Sequence, residues 1–538
     1  MSRTRLFARP LYLLLILALV LSLAVVAVPV GSKVSAAPSE VWVCPTGDCG
    51  HPGAQYDNIQ DGIDAVAQPG TVYVASGTYP EKITLSDKVQ VLGAGADVTT
   101  IDGSWSGRVV WVPSAGPETK LDGFTITNGN AMNGGGMYLS TSSPVISNCI
   151  FEGNSATDSG GGMYNYLSSP TVTNCIFDGN SAGFQGGGMY NWDSSPTVTN
   201  CTFEGNNAPF LGGGMSNENN SSPNVTNCIF EGNSAPNGCG MFNRNSSPNV
   251  TNCVFSGNSP STFGGGMYND HSSPTVTNCI FDGNSAGFQG GGMYNWDSSS
   301  PTVTNCILAN NTAGGSGGGI WADGTSSPTI DYNDVWNNTG GNYGGSCSKG
   351  PHDISLDPMF VNPSAQDFHL MPCSPCIDAG TNDGAPSGDM DGNPRTIDGD
   401  GDGNAITDMG AYEYVPASVE FSATPTMGPT PLEVRFSDET PGDFDSWSWD
   451  FGDGSTSSEQ QNPAHIYTLP GPFTVSLIVS GPSGGGIETK VDYIHPYTQG
   501  VGGEAYPVNR LAILAPWFGL AALLLGGTGW LALRRRRA

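Results

Sequence analysis

The residues with the clearest potential for chemistry are the carboxylates of the segment DGDGDGNAITD. Asp398, Asp400 and Asp402 occupy positions 1, 3 and 5 of a loop, and Gly403 lies at position 6, where a sharp turn is needed. Alternate residues of such a turn converge, and calcium prefers oxygen ligands of this kind. Asp408 falls at position 11 instead of 12, so an EF-hand is not expected. The spacing predicts a structural calcium site.

A second acidic group lies just upstream of this loop. Asp389, Asp391 and Asn393 have the same spacing, at positions 1, 3 and 5. They are predicted to form a second calcium site or to supply ligands to one. Carboxylates this close together repel one another unless a cation offsets their charge. We therefore expect calcium to clamp the end of the repeat region described below.

Further carboxylates recur once per repeat and raise the question of acid–base catalysis. They are Glu152, Asp178, Glu204, Glu231 and Asp282. Two neighbours at strand spacing can share a proton and act as general acid and base. The same pattern also follows from one repeated turn residue on the outside of a solenoid, and no pair stands out. We favour that structural interpretation.

Basic residues argue against a lyase or hydrolase acting on uronates. Such a lyase needs an Arg or Lys base, and Arg244 is the only basic residue between Leu121 and Ser348. The Gly-His-Gly and Arg-x-Lys motifs of polygalacturonases are absent, and His271 is interpreted as a lone solvent-facing histidine. We predict no catalytic site. The alternative is a polysaccharide lyase or glycoside hydrolase of the pectin-lyase-like class.

Aromatic residues predicted to be exposed favour binding instead. A regular set comprises Tyr138, Tyr164, Tyr190, Tyr268, Tyr294 and Trp321. A less regular set, two residues along from the tyrosine position, comprises Tyr166, Trp192 and Trp296. Aromatic faces outside a core favour contact with carbohydrate or protein, although stacking between coils explains the regular set as well. The predicted ligand-binding residues are Tyr166, Trp192, Trp296 and Trp321.

A third hypothesis concerns threonine. Thr-x-Thr pairs such as Thr171 and Thr173 recur and resemble those of β-solenoid ice binders, but Asn224 and Asn249 interrupt them. Threonine is also an ordinary strand residue. Ice binding is therefore the least favoured of the three.

All these residues recur because the sequence repeats. Cys175–Ser195 is identical to Cys279–Ser299. The SSP motif returns every 25 to 27 residues, at Pro144, Pro170, Pro196, Pro223, Pro248, Pro274, Pro301 and Pro328. Repeats of this length predict a solenoid, and short β-branched and aromatic runs between Gly, Pro, Asn and Ser predict strands joined by tight turns. The expected fold is all-β: a right-handed parallel β-helix with coils about 4.8 Å apart.

Stacked coils place equivalent residues on top of one another. Val172, Cys175, Phe177 and Met189 are predicted to point inward, and Asn180 is predicted to stack at a turn, each together with its equivalents. Seven cysteines share one repeat position: Cys149, Cys175, Cys201, Cys228, Cys253, Cys279 and Cys306. In-register parallel strands orient neighbouring Cβ atoms poorly for a disulfide, so a buried thiol ladder is predicted.

The remaining cysteines are predicted to form structural pairs. Cys44 is expected to pair with Cys49, and Cys347, Cys373 and Cys376 are expected to pair within their own group. The Cys-x-x-Cys spacing lacks the strand and helix context of a thioredoxin-like motif. The partner of Cys239 stays open.

The ends of the chain predict a cap and two targeting segments. Ile59, Ile63 and Val66 have helical spacing and are expected to cap the solenoid. Residues 1–36 read as a signal peptide. The apolar run 511–533 predicts a transmembrane helix or sorting signal, preceded by a linker at 498–510 and followed by a basic cytoplasmic tail at 534–538. The expected localisation is therefore the cell surface, with the exported body anchored to membrane or wall through its C-terminus.

Overall charge excludes one class of partner. The formal net charge is −30. An acidic surface of this size repels nucleic acid and attracts divalent cations. No nucleic-acid partner is expected.

Specific motifs resemble known families. FEGN, FDGN and GGGMY are similar to repeats of polymorphic outer-membrane adhesins. Asp357–Tyr414 resembles the closing motif of the choice-of-anchor Q family of exported bacterial β-helix proteins, and departs from it at Cys373 and Cys376, where Gly and Ala are more usual. WSWDFGDG, PAHIY and GPFTVSLIV within Val419–Pro496 resemble a PKD domain, an immunoglobulin-like sandwich.

These resemblances complete the predicted organisation. They imply a β-helix at 41–415, with core repeats at 134–340, and a PKD domain at 418–497. The predicted function is non-catalytic: adhesion or polysaccharide binding at the cell surface. The predicted partners are a polysaccharide or surface protein and, through the C-terminal helix, a membrane.

Overall fold

The computed structural model describes residues 37–45, 54–259, 262–442, 444–455, 460–481 and 484–498. The chain divides into two compact units, one comprising residues up to 417 together with 480–486 and the other comprising 418–479 and the residues from 487 onward. The predicted signal peptide 1–36, the predicted helix 511–533 and the tail 534–538 lie outside the described residues.

The first unit is a parallel β-solenoid in which each coil supplies one strand to each of three sheets. Sheet A contains Glu40–Val43, Ala54–Tyr56, Gly70–Val74, Val89–Gly93, Lys120–Asp122, Val145–Ser147, Thr171–Thr173, Thr197–Thr199, Asn224–Thr226, Asn249–Thr251, Thr275–Thr277, Thr302–Thr304 and Thr329–Asp331. Sheet B contains Gly77–Tyr79, Thr99–Asp102, Thr125–Thr127, Ile150–Glu152, Ile176–Asp178, Thr202–Glu204, Ile229–Glu231, Val254–Ser256, Ile280–Asp282, Ile307–Ala309 and Asp334–Trp336.

Sheet C follows sheet B in each coil. It contains Ile83–Thr84, Val110–Pro113, Met137–Ser140, Met163–Tyr166, Met189–Trp192, Met215–Glu218, Met241–Arg244, Met267–Asp270, Met293–Trp296, Ile320–Ala322 and Tyr343–Gly345. Short strands between sheets B and C are Asn130–Asn133, Ser155–Ser159, Ser181–Ala182, Ser285–Ala286 and Thr312–Ala313. The predicted all-β solenoid is confirmed.

Strict register places like residues on one another. Val172 lies opposite Val198, and Phe177 lies opposite Phe203 with ring centroids 4.7 Å apart. Val172, Phe177 and Met189 are fully buried, as predicted. Burying a side chain of this size contributes about 2 kcal/mol. The core of the solenoid is therefore a set of continuous apolar columns.

The predicted asparagine ladder is confirmed. The backbone N–H and Nδ2 of Asn180 both donate to Oδ1 of Asn206 at 3.0 Å, and Nδ2 also donates to the carbonyl of Phe151 at 2.8 Å. Both asparagines are completely buried. Each turn is thus hydrogen-bonded to the coils on either side, which offsets the cost of burying an amide.

The seven ladder cysteines are buried free thiols, as predicted. Cys175 lies 3.3 Å from the carbonyl oxygen of Thr173, to which its thiol donates. Cys44 takes part in a disulfide bond, and its predicted partner Cys49 lies outside the described residues.

The predicted pairing among Cys347, Cys373 and Cys376 is wrong, because all three are free. Cys376 is buried, with its Sγ 3.5 Å from a carboxylate oxygen of Asp334, whereas Cys373 is exposed. The turn between these two cysteines directs their side chains into different environments. Cys239 is also a buried free thiol, so the pairing left open for it does not arise.

Two segments outside the coils cover parts of the solenoid. The predicted cap is the helix Ile59–Ala65, with Asn58 as its N-cap and Ile59 and Ile63 buried. After the last coil, the strands Phe360–Asn362 and Asp367–Leu370 form a hairpin around the 3-10 helix Pro363–Ala365. We call residues 354–414 the closing segment. Its Met409 packs in one cluster with Ile280 and Ile307 on the outside of sheet B.

The second unit is an antiparallel-rich sandwich. One sheet contains Phe421–Thr424, Leu432–Asp438 and Ala464–Tyr467, and the other contains Met427–Pro429, Ser446–Asp450, Phe473–Gly481 and Gly484–Tyr497. Its core includes Trp449, fully buried, whose indole N–H donates to the carbonyl of Gln460 at 3.1 Å.

The predicted localisation requires correction. In the part of the chain that the structure describes, no helix has the length and apolar character needed to cross a membrane. The predicted localisation, an exported body held in a membrane by a C-terminal helix, is corrected to this extent: no helix among the described residues provides such an anchor.

Candidate functional site

The outer face of sheet C carries a column of aromatic rings, here called the aromatic column. It runs through Trp111, Tyr138, Tyr164, Tyr190, Ser216, Phe242, Tyr268, Tyr294 and Trp321. Tyr138 and Tyr164 stack with centroids 5.1 Å apart, and Tyr294 and Trp321 stack at 4.7 Å. The prediction that this set is exposed is wrong for Tyr190 and Tyr294, which are 2% and 3% exposed because their neighbours cover them.

A second column lies two residues further along the same strands. In register it contains Tyr166, Trp192, Glu218, Arg244, Asp270 and Trp296. Side chains two residues apart on a strand share a face, so this column lies beside the aromatic column. Its centre is charged and its two ends are aromatic.

An uninterrupted chain of ionic contacts occupies that centre. Nη1 of Arg244 lies 3.5 Å from Oε1 of Glu218, and its Nε donates to Oδ2 of Asp270 at 2.9 Å. His271 then bridges Asp270 and Asp297, with its ring nitrogens 2.8 and 3.1 Å from their carboxylate oxygens. We call these five residues the charged group. His271 faces solvent, as predicted, with its side chain 49% exposed, but it contacts two carboxylates and does not stand alone.

Glu218 is the buried member of the charged group. Its side chain is 8% exposed, and its Oε2 accepts from the hydroxyl of Tyr190 at 3.3 Å and from Nε2 of Gln185 at 3.5 Å. Burial raises the pKa of Glu218, while Arg244 and the bond from Tyr190 oppose the rise. A buried carboxylate beside a cation on an outer face is typical of functional sites.

Several buried polar atoms near this group form no hydrogen bond, although one of them, Oε1 of Glu218, has the ionic contact with Arg244. Oε1 of Gln185, Oγ of Ser216 and Oε1 of Glu218 are buried and accept no hydrogen bond from the described residues. Buried polar atoms are nearly always paired, so such a group calls for an explanation. Ser216 and Glu218 lie on one strand, and Ser216 replaces the ring that the aromatic column carries at every neighbouring coil. Gln185, Ser216 and Glu218 are all buried, so the interruption is a covered polar gap in the aromatic column.

Exposed phenylalanines form a rim nearby. Phe184 and Phe210 are 42% and 51% exposed, with ring centroids 4.9 Å apart, and Phe184 directly precedes Gln185. Phe288 is 54% exposed and contacts Phe263. Large apolar side chains exposed together favour contact with a ligand.

The predicted ligand-binding residues fall around this site. Trp192 lies opposite Glu218 and Trp296 lies opposite Asp270, so the two tryptophans bracket the charged group. Tyr166 is exposed one coil beyond Trp192, and Trp321 is half-buried against Tyr294.

Sequence reasoning missed the centre of the site. It named no function for Ser216, Glu218 or Asp270, and it used Arg244 only to argue against a lyase. The signal that could have found them is their departure from the repeat, because other coils carry an aromatic residue at one or other of these positions. At these positions the repeat changes on its outer face but keeps its core residues. Packing of the core therefore did not determine which residue occurs there.

The recurring carboxylates lie on the outer face of sheet B. Glu152, Asp178, Glu204 and Glu231 are in register, and Ser256 interrupts the column before Asp282. Burial and Glu204 raise the pKa of Glu231. No basic side chain is paired with this column in the described residues. Its members behave as the repeated turn residues that the sequence analysis favoured.

The acidic loop forms a different cluster from the one predicted. Asp378, Asp398 and Asp400 each offer a carboxylate oxygen within 4.8 Å of the others. Asp398 Oδ1 is buried without a hydrogen-bond partner among the described residues. Asp402 lies outside the cluster because its carboxylate accepts from the backbone and side chain of Asn404.

The other predicted metal ligands have structural partners instead. Asp408 is buried and accepts from the backbone N–H groups of Asp378 and Tyr414. Burial and Glu413 raise the pKa of Asp408. Asp389 is buried as well and accepts from the backbone N–H of Asn393, and Asp391 contacts His369 at 2.7 Å. The prediction of a second calcium site at Asp389 and Asp391 finds no support in this geometry.

Comparison with known proteins agrees with this architecture. Residues 99–281 and 183–308 match the family described as right handed beta helix region, and residues 417–495 match the PKD domain. Residues 261–383 match a family described as disaggregatase related.

Solved structures with similarity to this chain include three β-helix proteins. Pectate lyase Pel9A is 14% identical, with a TM-score of 0.40 over 70% of this chain and 96% of that one. The A-module of mannuronan C-5 epimerase AlgE4 from Azotobacter vinelandii is 19% identical, with a TM-score of 0.31 over 56% of this chain and 95% of that one. The tailspike gp49 of Acinetobacter baumannii bacteriophage Fri1, a capsular polysaccharide depolymerase, is 13% identical, with a TM-score of 0.32 over 78% and 73%. At these TM-scores the similarities carry no argument about activity. The described part of the chain contains a right-handed parallel β-helix and, after it in sequence, a PKD domain.

Proposed function

We propose that the protein binds a polysaccharide along the outer face of sheet C, at the charged group, without cleaving it. One observation carries the proposal: Arg244, whose side chain is 42% exposed, lies with the carboxylates of the charged group between two bracketing tryptophans, beside the coil where Ser216 interrupts the aromatic column. Sugar hydroxyls hydrogen-bond to charged side chains of this kind, and the apolar faces of sugar rings pack on indoles. A glycan supplies both kinds of contact at once.

The arrangement also supports binding of a long polymer. The aromatic column continues for several coils on either side of Ser216, and strands in a parallel sheet are about 4.8 Å apart. A chain lying along the solenoid axis therefore passes the exposed rings of Trp111, Tyr166 and Trp296, which lie on the two columns. The resemblance of Asp357–Tyr414 to choice-of-anchor Q proteins stays a prediction and is not needed for this proposal.

The test is retention of the full-length protein on immobilised neutral and acidic polysaccharides. Trp192→Ala and Glu218→Gln should each weaken retention about tenfold, because each removes one contact worth about 1.4 kcal/mol. Trp105→Ala is the matched control, since Trp105 is 55% exposed but lies in an earlier coil, outside both columns. Equal retention of Trp192→Ala, Glu218→Gln and the parent would overturn the proposal.

The same experiment separates binding from catalysis. Glu218, with its raised pKa, and Asp270 lie on either side of Arg244, and two carboxylates flanking a sugar are what a glycoside hydrolase uses. We expect no new reducing ends and no unsaturated products after prolonged incubation. Product release that Glu218→Gln abolishes would replace binding by hydrolysis.

A further inference from the structure

Two cations lie next to one another at the amino-terminal end of sheet C. Lys82 and Arg108 line an open depression of about 460 Å³ together with Thr84, Gly107 and Trp111. Thr84 lies opposite Trp111, which in turn lies opposite Tyr138, so the depression continues the aromatic column. It is therefore on the same face as the proposed polysaccharide site, four strands away from Ser216, or about 19 Å.

These cations differ from most basic residues of this acidic chain. In the residues that the structure covers, ion pairs to carboxylates are formed by Lys88, Lys120, Arg244, Arg395, Arg435 and Lys490. Lys82 and Arg108 form none within the same residues. The adjacent Glu81 forms no ion pair with them among the described residues; its carboxylate accepts from the backbone N–H groups of Ile59 and Gln60.

Both cations are held in place. The guanidinium of Arg108 lies 4.3 Å from the centroid of the Tyr138 ring, and Nζ of Lys82 donates to the carbonyl of Ser106 at 3.2 Å. Trp111 is 42% exposed beside them. A stacked guanidinium keeps its donors in a fixed fork, which suits a planar or tetrahedral anion. Two fixed cations and an open indole face thus converge on one depression.

We propose that this depression binds the anionic group, a carboxylate or a sulfate, of a sugar unit whose ring packs on Trp111. The inference rests on the proposed function and names its ligand class: an acidic glycan. A protein with a net charge of −30 repels such a polymer over most of its surface. Charge-assisted hydrogen bonds from Lys82 and Arg108 offset that repulsion at one place and orient the chain along the column.

The test compares full-length parent protein with Lys82→Gln, Arg108→Gln and the double variant. The probes are oligosaccharides of equal length that carry either no charge, carboxylates or sulfates, and that are long enough to span the distance to Ser216. We expect the double variant to lose about tenfold in affinity for the charged probes, with no change for the neutral probe. Raising the ionic strength should remove most of the difference.

A matched control is Lys88→Gln, which deletes one positive charge from an ion pair with Glu118 on another part of the solenoid. It should bind every probe as the parent does. Lys82→Gln keeps the stacking of Arg108 on Tyr138, so it tests the inference even if Arg108→Gln lowers the melting temperature. Binding of the carboxylated probe, the sulfated probe or both, lost in the double variant, supports the inference and identifies the group.

Failure is distinguishable from failure of the proposed function. If the parent binds the neutral probe and loses it on Trp192→Ala, while the double variant binds charged probes as the parent does, only the anion site is overturned. A loss in Lys88→Gln equal to that in the double variant also overturns it, because overall charge then explains the effect. If the parent binds no probe, both proposals are overturned.

Discussion

Cys175–Ser195 and Cys279–Ser299 are identical in sequence, yet the structure gives them different surroundings. Ile176 in the first copy is 39% exposed, whereas its counterpart Ile280 is 1% exposed. The difference arises because the closing segment packs on the outside of sheet B beside Ile280 and leaves Ile176 uncovered.

The outer face of sheet C differs between the copies in the same way. Gln185 is buried and donates to Glu218, while its counterpart Gln289 is half-buried. Asp193 accepts from Nδ2 of Asn219 at 3.0 Å, whereas Asp297 contacts His271 at 3.1 Å. Identical residues thus form equivalent strands and acquire different roles from the neighbouring coil. The comparison yields four predictions, which follow in order of decreasing effect.

The largest effect is expected for the isoleucine pair. Ile280→Ala should lower the free energy of unfolding by about 2–5 kcal/mol, because it leaves a cavity under the closing segment. Ile176→Ala should change it by less than about 0.5 kcal/mol, as is usual for exposed positions. Denaturant unfolding of both variants measures the contrast. Equal losses would show that the closing segment does not cover the second copy in solution.

The closing segment should also respond to pH through His369. Burial alone would lower its pKa, but hydrogen bonds to Asp367 and Asp391 outweigh burial and raise it to about 9. Protonated His369 therefore stabilises the fold, fully below the unfolded pKa of about 6.5, and this stability is lost as the pH rises through about 9. His369→Asn should cost about 2 kcal/mol at pH 6 and almost nothing at pH 10.

Thermal melts across that range, with Ile176→Ala as a control of unchanged pH dependence, test the role of His369. A cost that stays constant from pH 6 to pH 10 would contradict it.

Calcium should stabilise the same segment by a smaller amount. If the ion binds Asp378, Asp398 and Asp400, a concentration tenfold above Kd contributes about 1.4 kcal/mol, seen as a rise in melting temperature. Asp378→Asn combined with Asp398→Asn should abolish the rise, whereas Asp402→Asn should keep most of it, because Asp402 lies outside the cluster. A rise that depends on Asp402 and not on Asp378 would restore the spacing predicted from the sequence.

The smallest effect is expected for the glutamine pair. Gln185→Ala removes a donor that positions Glu218 in the charged group, so polysaccharide retention should fall about threefold to tenfold. Gln289→Ala is its matched control in the identical segment and should have no effect. Equal losses would place the binding site along the whole column and not at the charged group.

The fold was predictable from the sequence because the period is long, regular and chemically distinct. Val172, Phe177 and Asn180 each face an equivalent in the next coil, so one register satisfies all of them and any shift breaks them together. The cap helix was predictable for a similar reason, since the spacing of Ile59 and Ile63 allows one buried face. The candidate site was predicted only in part. The sequence analysis named Trp192 and Trp296 as ligand-binding residues but did not identify the charged group between them.

The sequence by itself determined the structure of the single coil. It set the period, the residues that point inward, the ladders of equivalent residues and the positions that face outward. Local residue types decide these features because each coil needs only a copy of itself as a neighbour. The tertiary structure alone decided what lies beside each outward position. Asp378 joins Asp398 across the closing segment, Ser216 interrupts the column beside Glu218, and Lys82 and Arg108 meet at one depression. These contacts join residues from different coils or from the closing segment, and no spacing along the chain records which of them become neighbours in space.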